Sequence, residues 1–172
     1  MFLDTLAHQL KIRLQYGPEF IGDPETIPVG TTPRQCIYQE GPRCLYYYPG
    51  QKEHNQPVLL VYSLINRPYI FDLCSGRSLI EYLCQNGFNV YLLDWGDPLL
   101  ENSRDTLADL IAGTLHRCVR KILRYHRIPA LHILGYCMGG TFATLYAGLH
   151  PELVNHLTLL TTPLGTDPQG LL

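Results

Sequence analysis

The chain lacks a long apolar run, a block of like charge and a cysteine pair at metal-binding spacing, and each absence removes a class of function. Its longest apolar stretch, Val58 to Ile65, falls far short of the roughly 20 residues that span a bilayer, so no transmembrane helix is expected. Lys and Arg are scattered and the formal net charge is −2, which leaves no basic stripe for nucleic acid. The six cysteines, Cys36, Cys44, Cys74, Cys84, Cys118 and Cys137, include no CxxC and no accompanying His-x3-His, so a zinc site has no support. An export signal is missing too, because Asp4 and His8 interrupt the first residues where a continuous apolar stretch would stand. Leu83-Cys84 and Cys118-Val119 place thiols inside apolar runs, where they act as small hydrophobes. Free thiols without an export signal point to the reducing cytosol.

What is present describes a globular chain. Hydrophobic residues make up 46% and charged residues 16% of 172 positions, enough for one domain with a buried core. Leu3, Leu6, Ala7, Leu10 and Leu14 have helical spacing, and Gly17 to Pro33 reads as a loop, so residues 1–34 form an N-terminal helix and loop. Residues 35–172 form the rest. Candidate strands near 35–39 and 44–48 flank Glu40-Gly41-Pro42 as a hairpin. The run from Pro57 to Leu64 is nearly all apolar, as in a strand buried on both faces of a parallel sheet. A helix over 76–86 ending at Gly87 follows, then a strand over 88–93. A long amphipathic helix spans 105–126, with Leu107, Leu110, Ile111, Leu115, Cys118, Val119, Ile122 and Leu123 on one stripe. A strand over 130–135, a helix over 138–149 and a strand over 156–161 complete the pattern. The alternation of strand and helix implies right-handed βαβ units and a mostly parallel sheet, hence an α/β fold with an N-terminal hairpin.

Gly135-Tyr136-Cys137-Met138-Gly139 fits G-x-nucleophile-x-G. Five residues alone are a weak signal, and a buried structural Cys at a tight turn is the plain alternative. The context strengthens the motif: an apolar strand precedes it, and a helix rich in small residues (Gly139, Gly140, Ala143, Ala147, Gly148) follows. That is the setting of a nucleophile elbow, in which the central residue is strained and the glycines allow strand and helix to approach. A Cys at a helix N-terminus is favoured as thiolate by the helix dipole. The Met138 backbone N–H supplies half an oxyanion hole, and the loop after the first parallel strand supplies the other half from Ile65 or Asn66.

A thiol nucleophile needs a base and an orienting acid. Only His150 and His156 follow Cys137. His150 lies roughly 20 Å along the next helix, and His156 begins a strand at the opposite sheet edge. His132 is about 16 Å back along its own strand. His54 is also on the far side, and His8, His116 and His126 belong to other helices. No histidine of the chain is placed to serve as base. Asp167 reads as a turn residue and Asp94 as a capping or loop-anchoring one. Asp72 and Arg67 lie near the oxyanion loop and could order it. The chain therefore reads as the N-terminal part of a longer α/β-hydrolase, lacking its acid and His and catalytically incomplete by itself.

Four blocks in order carry a more specific resemblance: Val61-Tyr-Ser-Leu-Ile-Asn-Arg-Pro-Tyr-Ile-Phe-Asp-Leu73, Gly76-Arg-Ser-Leu79, Tyr91-Leu-Leu-Asp-Trp-Gly-Asp-Pro98 and Leu134-Gly-Tyr-Cys-Met-Gly-Gly-Thr141. Over about residues 35–165 the chain resembles the catalytic subunit of polyhydroxyalkanoate synthases, and its short N-terminal segment is similar to the two-subunit classes III and IV. The resemblance implies acyl transfer from (R)-3-hydroxyacyl-CoA to a growing polyester, with Cys137 as the nucleophile of a modified lipase box. It places the family's Asp and His in blocks beyond residue 172. It also implies no cofactor, since the coenzyme A thioester is substrate, a second synthase subunit or a second copy as partner, and a cytoplasmic location at the granule surface. A thiol-dependent esterase or polyester hydrolase on the same fold, and an inactive remnant, are the competing readings. A dinucleotide site is excluded, because Gly135 to Gly140 does not form G-x-G-x-x-G.

Overall fold

The computed structural model describes residues 28–51, 56–97 and 104–165. The expected helix over 3–16, most of the loop after it, His8, His54 and Asp167 lie outside the described residues. Among those described, β1 (Gln35–Glu40) and β2 (Arg43–Tyr48) form the expected hairpin. Next come β3 (Gln56–Val61), a 3-10 turn over Pro68–Phe71, and the short strands β4 (Asp72–Cys74) and β5 (Arg77–Ser78). Helix α1 (Leu79–Gln85) leads to β6 (Phe88–Asp94). A π-helical segment over Asp109–Leu115 runs into α2 (His116–His126), followed by β7 (Leu131–Tyr136), α3 (Met138–Leu149) and β8 (Val154–Leu160).

The main sheet has the order β1-β2-β6-β3-β7-β8. Strands β6, β3, β7 and β8 are mutually parallel, and the hairpin adds antiparallel to β6. The apolar runs explain the order. Val58 to Val61 and Asn89 to Leu93 are buried throughout, so β3 and β6 take central places where both faces are covered. At the edge, β8 alternates between half-buried and exposed residues.

Local signals set the ends of the helices. Ser78 Oγ accepts from the Glu81 N–H at 2.9 Å and starts α1, as an S-x-x-E sequence favours. Glu81 itself turns to the Gly76 amide at 2.9 Å. Arg127 is left-handed (φ 55°), and the Ile128 N–H reaches the Leu123 carbonyl at 3.1 Å, a Schellman-type close for α2.

Two expectations need correction. The 105–126 stripe is not one regular α-helix, since Asp109–Leu115 winds with the wider π turn. That shifts the facing of its first turns: Leu110, Ile111 and Leu115 are buried while Leu107 is half exposed. Nor are all six thiols free. Cys36 and Cys44 form a disulfide, with Cα atoms 6.2 Å apart. A register shift between Cys36 and Tyr38 in β1 brings Cys36 round toward Cys44 on the neighbouring strand, which a spacing of eight residues does not disclose.

The hairpin is fastened to the π segment and α2. Buried Arg43 donates to Thr114 Oγ1 at 2.9 Å and pairs with Asp105. Arg117 grips Glu40 through two hydrogen bonds, of 2.8 and 2.5 Å.

Candidate active site

Cys137 sits between β7 and α3 with φ 53° and ψ −130°, a strained region for a residue with a side chain. Its surroundings explain how the strain is held. The Cys137 N–H donates to the Leu160 carbonyl at 2.9 Å, and the Gly140 N–H returns to the Cys137 carbonyl at 2.9 Å. The glycines are steric necessities. A Cβ on Gly135 would overlap the Gly140 backbone, and one on Gly139 would overlap the carbonyl oxygen of Val61. One on Gly140 would strike the Thr162 side chain. The strand-to-helix bend expected at this motif is thus present, and Cys137 is half-buried rather than sealed in the core.

Two other free thiols, Cys84 and Cys118, are buried. Burial pushes Cys84 up to about 11 and Cys118 up to about 12, so both stay protonated at neutral pH and act as packing groups.

The loop after β3 runs beside the start of α3, since Gly139 lies against Val61 and Tyr62. On that loop the Ile65 N–H donates to Ser63 Oγ at 3.1 Å; no hydrogen bond holds the Asn66 N–H among the described residues. Arg67 pairs with Asp97, joining the loops that follow β3 and β6. Asp72 is farther from this role than expected. It is buried and its carboxylate accepts from the Thr32 N–H at 3.0 Å and Thr32 Oγ1 at 2.7 Å, so it anchors the segment before β1.

Sequence reasoning missed the buttress formed by Tyr62 and Trp95. Tyr62 Oη donates to Asp94 Oδ1 at 2.7 Å, and Trp95 Nε1 donates to the Tyr62 carbonyl at 2.9 Å. Asp94 also accepts from the Gly96 N–H at 2.9 Å, which gives it the loop-anchoring place expected. Burial and the Asp94 carboxylate hold the Tyr62 phenol well above its ordinary value. The Trp95 indole meets Phe142 of α3 edge to face at 5.9 Å. Gly96, at φ 68°, lies so near the hairpin turn that a Cβ would overlap the Pro42 carbonyl oxygen. The only sequence signal for this packing is the Asp94-Trp95-Gly96 block itself.

The described histidines are engaged elsewhere. His132 and His156 stack at 4.6 Å across β7 and β8, near the strand starts and away from Cys137. His116 meets Tyr146 Oη at 3.1 Å and lies against His150 in a tilted ring contact at 4.6 Å, and His126 meets Tyr91 Oη at 2.7 Å. Among the described residues no group of three His, Cys, Asp or Glu side chains could hold a metal ion. No described helix is long and apolar enough to cross a membrane.

Comparisons with known proteins agree with this geometry. Residues 56–171 match the family described as the alpha/beta hydrolase fold. The chain is 37% identical over 173 residues to the poly(3-hydroxyalkanoate) polymerase subunit PhaC of Thiocystis violacea, covering 97% of this chain and 49% of that protein. It is 40% identical over 150 residues to the PhaC subunit of Synechocystis sp., covering 86% of this chain and 40% of the relative. The corresponding figures for the PhaC subunit of Cupriavidus necator are 33% over 135 residues, 74% and 23%. The chain thus spans about half the length, or less, of the curated relatives it matches. Among solved structures, the thioesterase domain from the curacin biosynthetic pathway superposes with a TM-score of 0.60 at 17% identity, covering 78% of this chain and 48% of that one. A carboxyl esterase from Bacillus coagulans gives 0.53 at 17% identity, covering 74% and 43%. At such identities the two structures speak for the fold alone. With its parallel sheet, its strained Cys137 and its match over residues 56–171, the chain belongs to the alpha/beta hydrolase fold family, and the curated relatives it resembles are poly(3-hydroxyalkanoate) polymerase subunits.

Proposed function

We propose that the chain carries the nucleophile of a poly(3-hydroxyalkanoate) synthase, an acyltransferase that moves (R)-3-hydroxyacyl groups from coenzyme A to a growing polyester through a thioester on Cys137. The observation that carries this reading is Cys137 itself, strained at φ 53° at the mouth of α3, in a chain whose relatives are named as polymerase subunits. Cys137 stands at the start of α3 and is half-buried rather than sealed in the core. The thiolate attacks the acyl-CoA carbonyl, the bond to CoA sulfur breaks, and the CoA thiolate leaves with the proton that Cys137 gave up. The new thioester is nearly isoenergetic with the old one, so the acyl group stays activated. The 3-hydroxyl of a second unit then attacks it, forming the ester and returning the thiol.

The Met138 N–H supplies one oxyanion donor. Asn66 supplies the second, since the Ile65 N–H is taken by Ser63 Oγ. Removing one such donor costs about 100- to 1,000-fold in rate. The base and the orienting acid come from outside the described residues, a reading supported for the base by the engagement of the described histidines elsewhere. No cofactor takes part. The partner is a second synthase subunit or a second copy of the chain, and the site of action is the surface of a polyester granule in the cytoplasm.

Incubation of the chain, together with the segment or partner that supplies the base and acid, with 3-hydroxybutyryl-CoA tests the reading. Polymer appearing together with free CoA supports it, whereas free 3-hydroxybutyrate without polymer would assign a thiol-dependent hydrolase instead.

A further inference from the structure

Three non-glycine residues among those described take a positive φ. Arg127 closes α2, but the other two, Cys137 at 53° and Thr161 at 46°, stand side by side. Tyr136 pairs with Leu160 at the end of the β7–β8 ladder, and the Cys137 N–H donates to the Leu160 carbonyl at 2.9 Å. Thr161 therefore takes the next register position, beside the nucleophile. A positive φ is unfavourable for a residue with a Cβ, and most of all for a β-branched one. The Thr161 side chain is exposed and makes no hydrogen bond among the described residues, so the fold gains from the turn rather than from the side chain. What the turn places is the pair of residues after it. Thr162 Oγ1 donates to the same Leu160 carbonyl at 3.3 Å, and its side chain stands where a Cβ on Gly140 would be. The Pro163 carbonyl accepts from Thr141 Oγ1 at 2.8 Å.

We infer that the left-handed turn at Thr161 is the second half of the elbow, clasping the start of α3 to the end of β8 so that Cys137 is positioned for acyl transfer. The inference rests on the acyl-transfer reading and adds Thr161 and Thr162 as positioning residues. A straight continuation of β8 would carry Thr162 away from Gly140 and Pro163 away from Thr141. The first turn of α3, which has only glycine at 139 and 140, would then lose the side chain that wedges it against the strand. Strained backbone collects where a site must be held in one geometry, and a nucleophile misplaced by about 1 Å can lose about 100-fold in rate.

CoA release from 3-hydroxybutyryl-CoA, with the segment or partner that supplies the base and acid present, tests this in the unaltered protein, Thr161→Pro, Thr161→Gly and Thr161→Asn. Proline fixes φ near −65° and forbids the turn, whereas glycine and asparagine accept it. Thr161→Pro should lower kcat about 100-fold at nearly constant KM. Thr161→Gly and Thr161→Asn should recover most of that rate, although neither has the threonine side chain. Buried Cys118 should stay closed to iodoacetamide in each variant, as the sign of an intact fold. If Thr161→Pro opens Cys118, Thr162→Ala decides the matter: it removes the wedge on Gly140 and should lower kcat about tenfold at nearly constant KM. Full kcat in the deciding variant, or a loss in Thr161→Gly as large as in Thr161→Pro, would overturn the clasp while leaving acyl transfer intact. No CoA release by the unaltered protein would overturn the acyl-transfer reading and the clasp with it.

Discussion

The backbone N–H of Cys137 donates to the carbonyl of Leu160 at 2.9 Å, so the strained residue extends the ladder between β7 and β8 by one rung. From the other side, Gly139 lets the start of α3 sit directly on the end of β3. The bend is fixed between two strands, and positive φ at Cys137 is imposed by its neighbours rather than chosen by the residue.

That fixation separates two glycines of the same helix. Gly139→Ala should destabilise the protein by about 3 kcal/mol, because the added methyl meets backbone that cannot move aside. At Gly148 a Cβ meets nothing within 4 Å, so Gly148→Ala should stabilise α3 by about 0.5–1 kcal/mol. Urea denaturation of the two variants beside the parent measures both, and equal effects would show that the close approach at Gly139 is not real.

Tyr62→Phe removes the hydroxyl that donates to Asp94 and accepts from the Trp95 N–H. The expected loss is about 1–3 kcal/mol, because the buried Trp95 amide is left without its partner. Trp95 is the protein's only tryptophan, so its fluorescence should also shift as the indole loosens. An unchanged melting curve and spectrum would argue against the buttress.

Thiol reactivity follows burial. Cys84 and Cys118, held up to about 11 and 12, should resist iodoacetamide at pH 7.5 in the folded protein, whereas half-buried Cys137 should be alkylated. Peptide mapping after brief labelling distinguishes them. Labelling of Cys118 at the rate of Cys137 would contradict the packing described for α2.

Acid should destabilise the fold in a definite window. Burial lowers the His116, His126 and His132 imidazoles below 6.5, helped by His150 at His116 and by His156 at His132. Folding therefore favours their neutral forms. The stability they contribute is present above pH 6.5, where both folded and unfolded chains are neutral, and is lost as pH falls and the unfolded chain gains protons first. Tm should drop between pH 7.5 and pH 5, and the drop should shrink in a His126→Gln, His132→Gln variant. A flat profile would remove these groups from the balance.

Much of the fold was legible because buried parallel strands need continuous apolar runs. Val58 to Val61 and Val90 to Leu93 could belong to little else. The elbow was legible because its close approaches demand glycine at 135 and 139. The π turn at Asp109–Leu115 was not, since an apolar stripe records that a face is buried without recording the hydrogen-bond spacing that presents it. The Cys36–Cys44 bond depends on a bulge in β1 that no residue type announces. Tyr62 read as one more apolar strand residue, and only the structure shows its hydroxyl joining Asp94 to the Trp95 loop.

The most direct measurement is the intact mass of the protein, with the base and acid that complete its site supplied, after brief exposure to 3-hydroxybutyryl-CoA. A single added hydroxybutyryl group, mapped to Cys137, cleaved by neutral hydroxylamine and absent in Cys137→Ala, is the expected result. An unmodified mass, or an adduct that persists in Cys137→Ala, would contradict the assignment of Cys137 as the acyl acceptor.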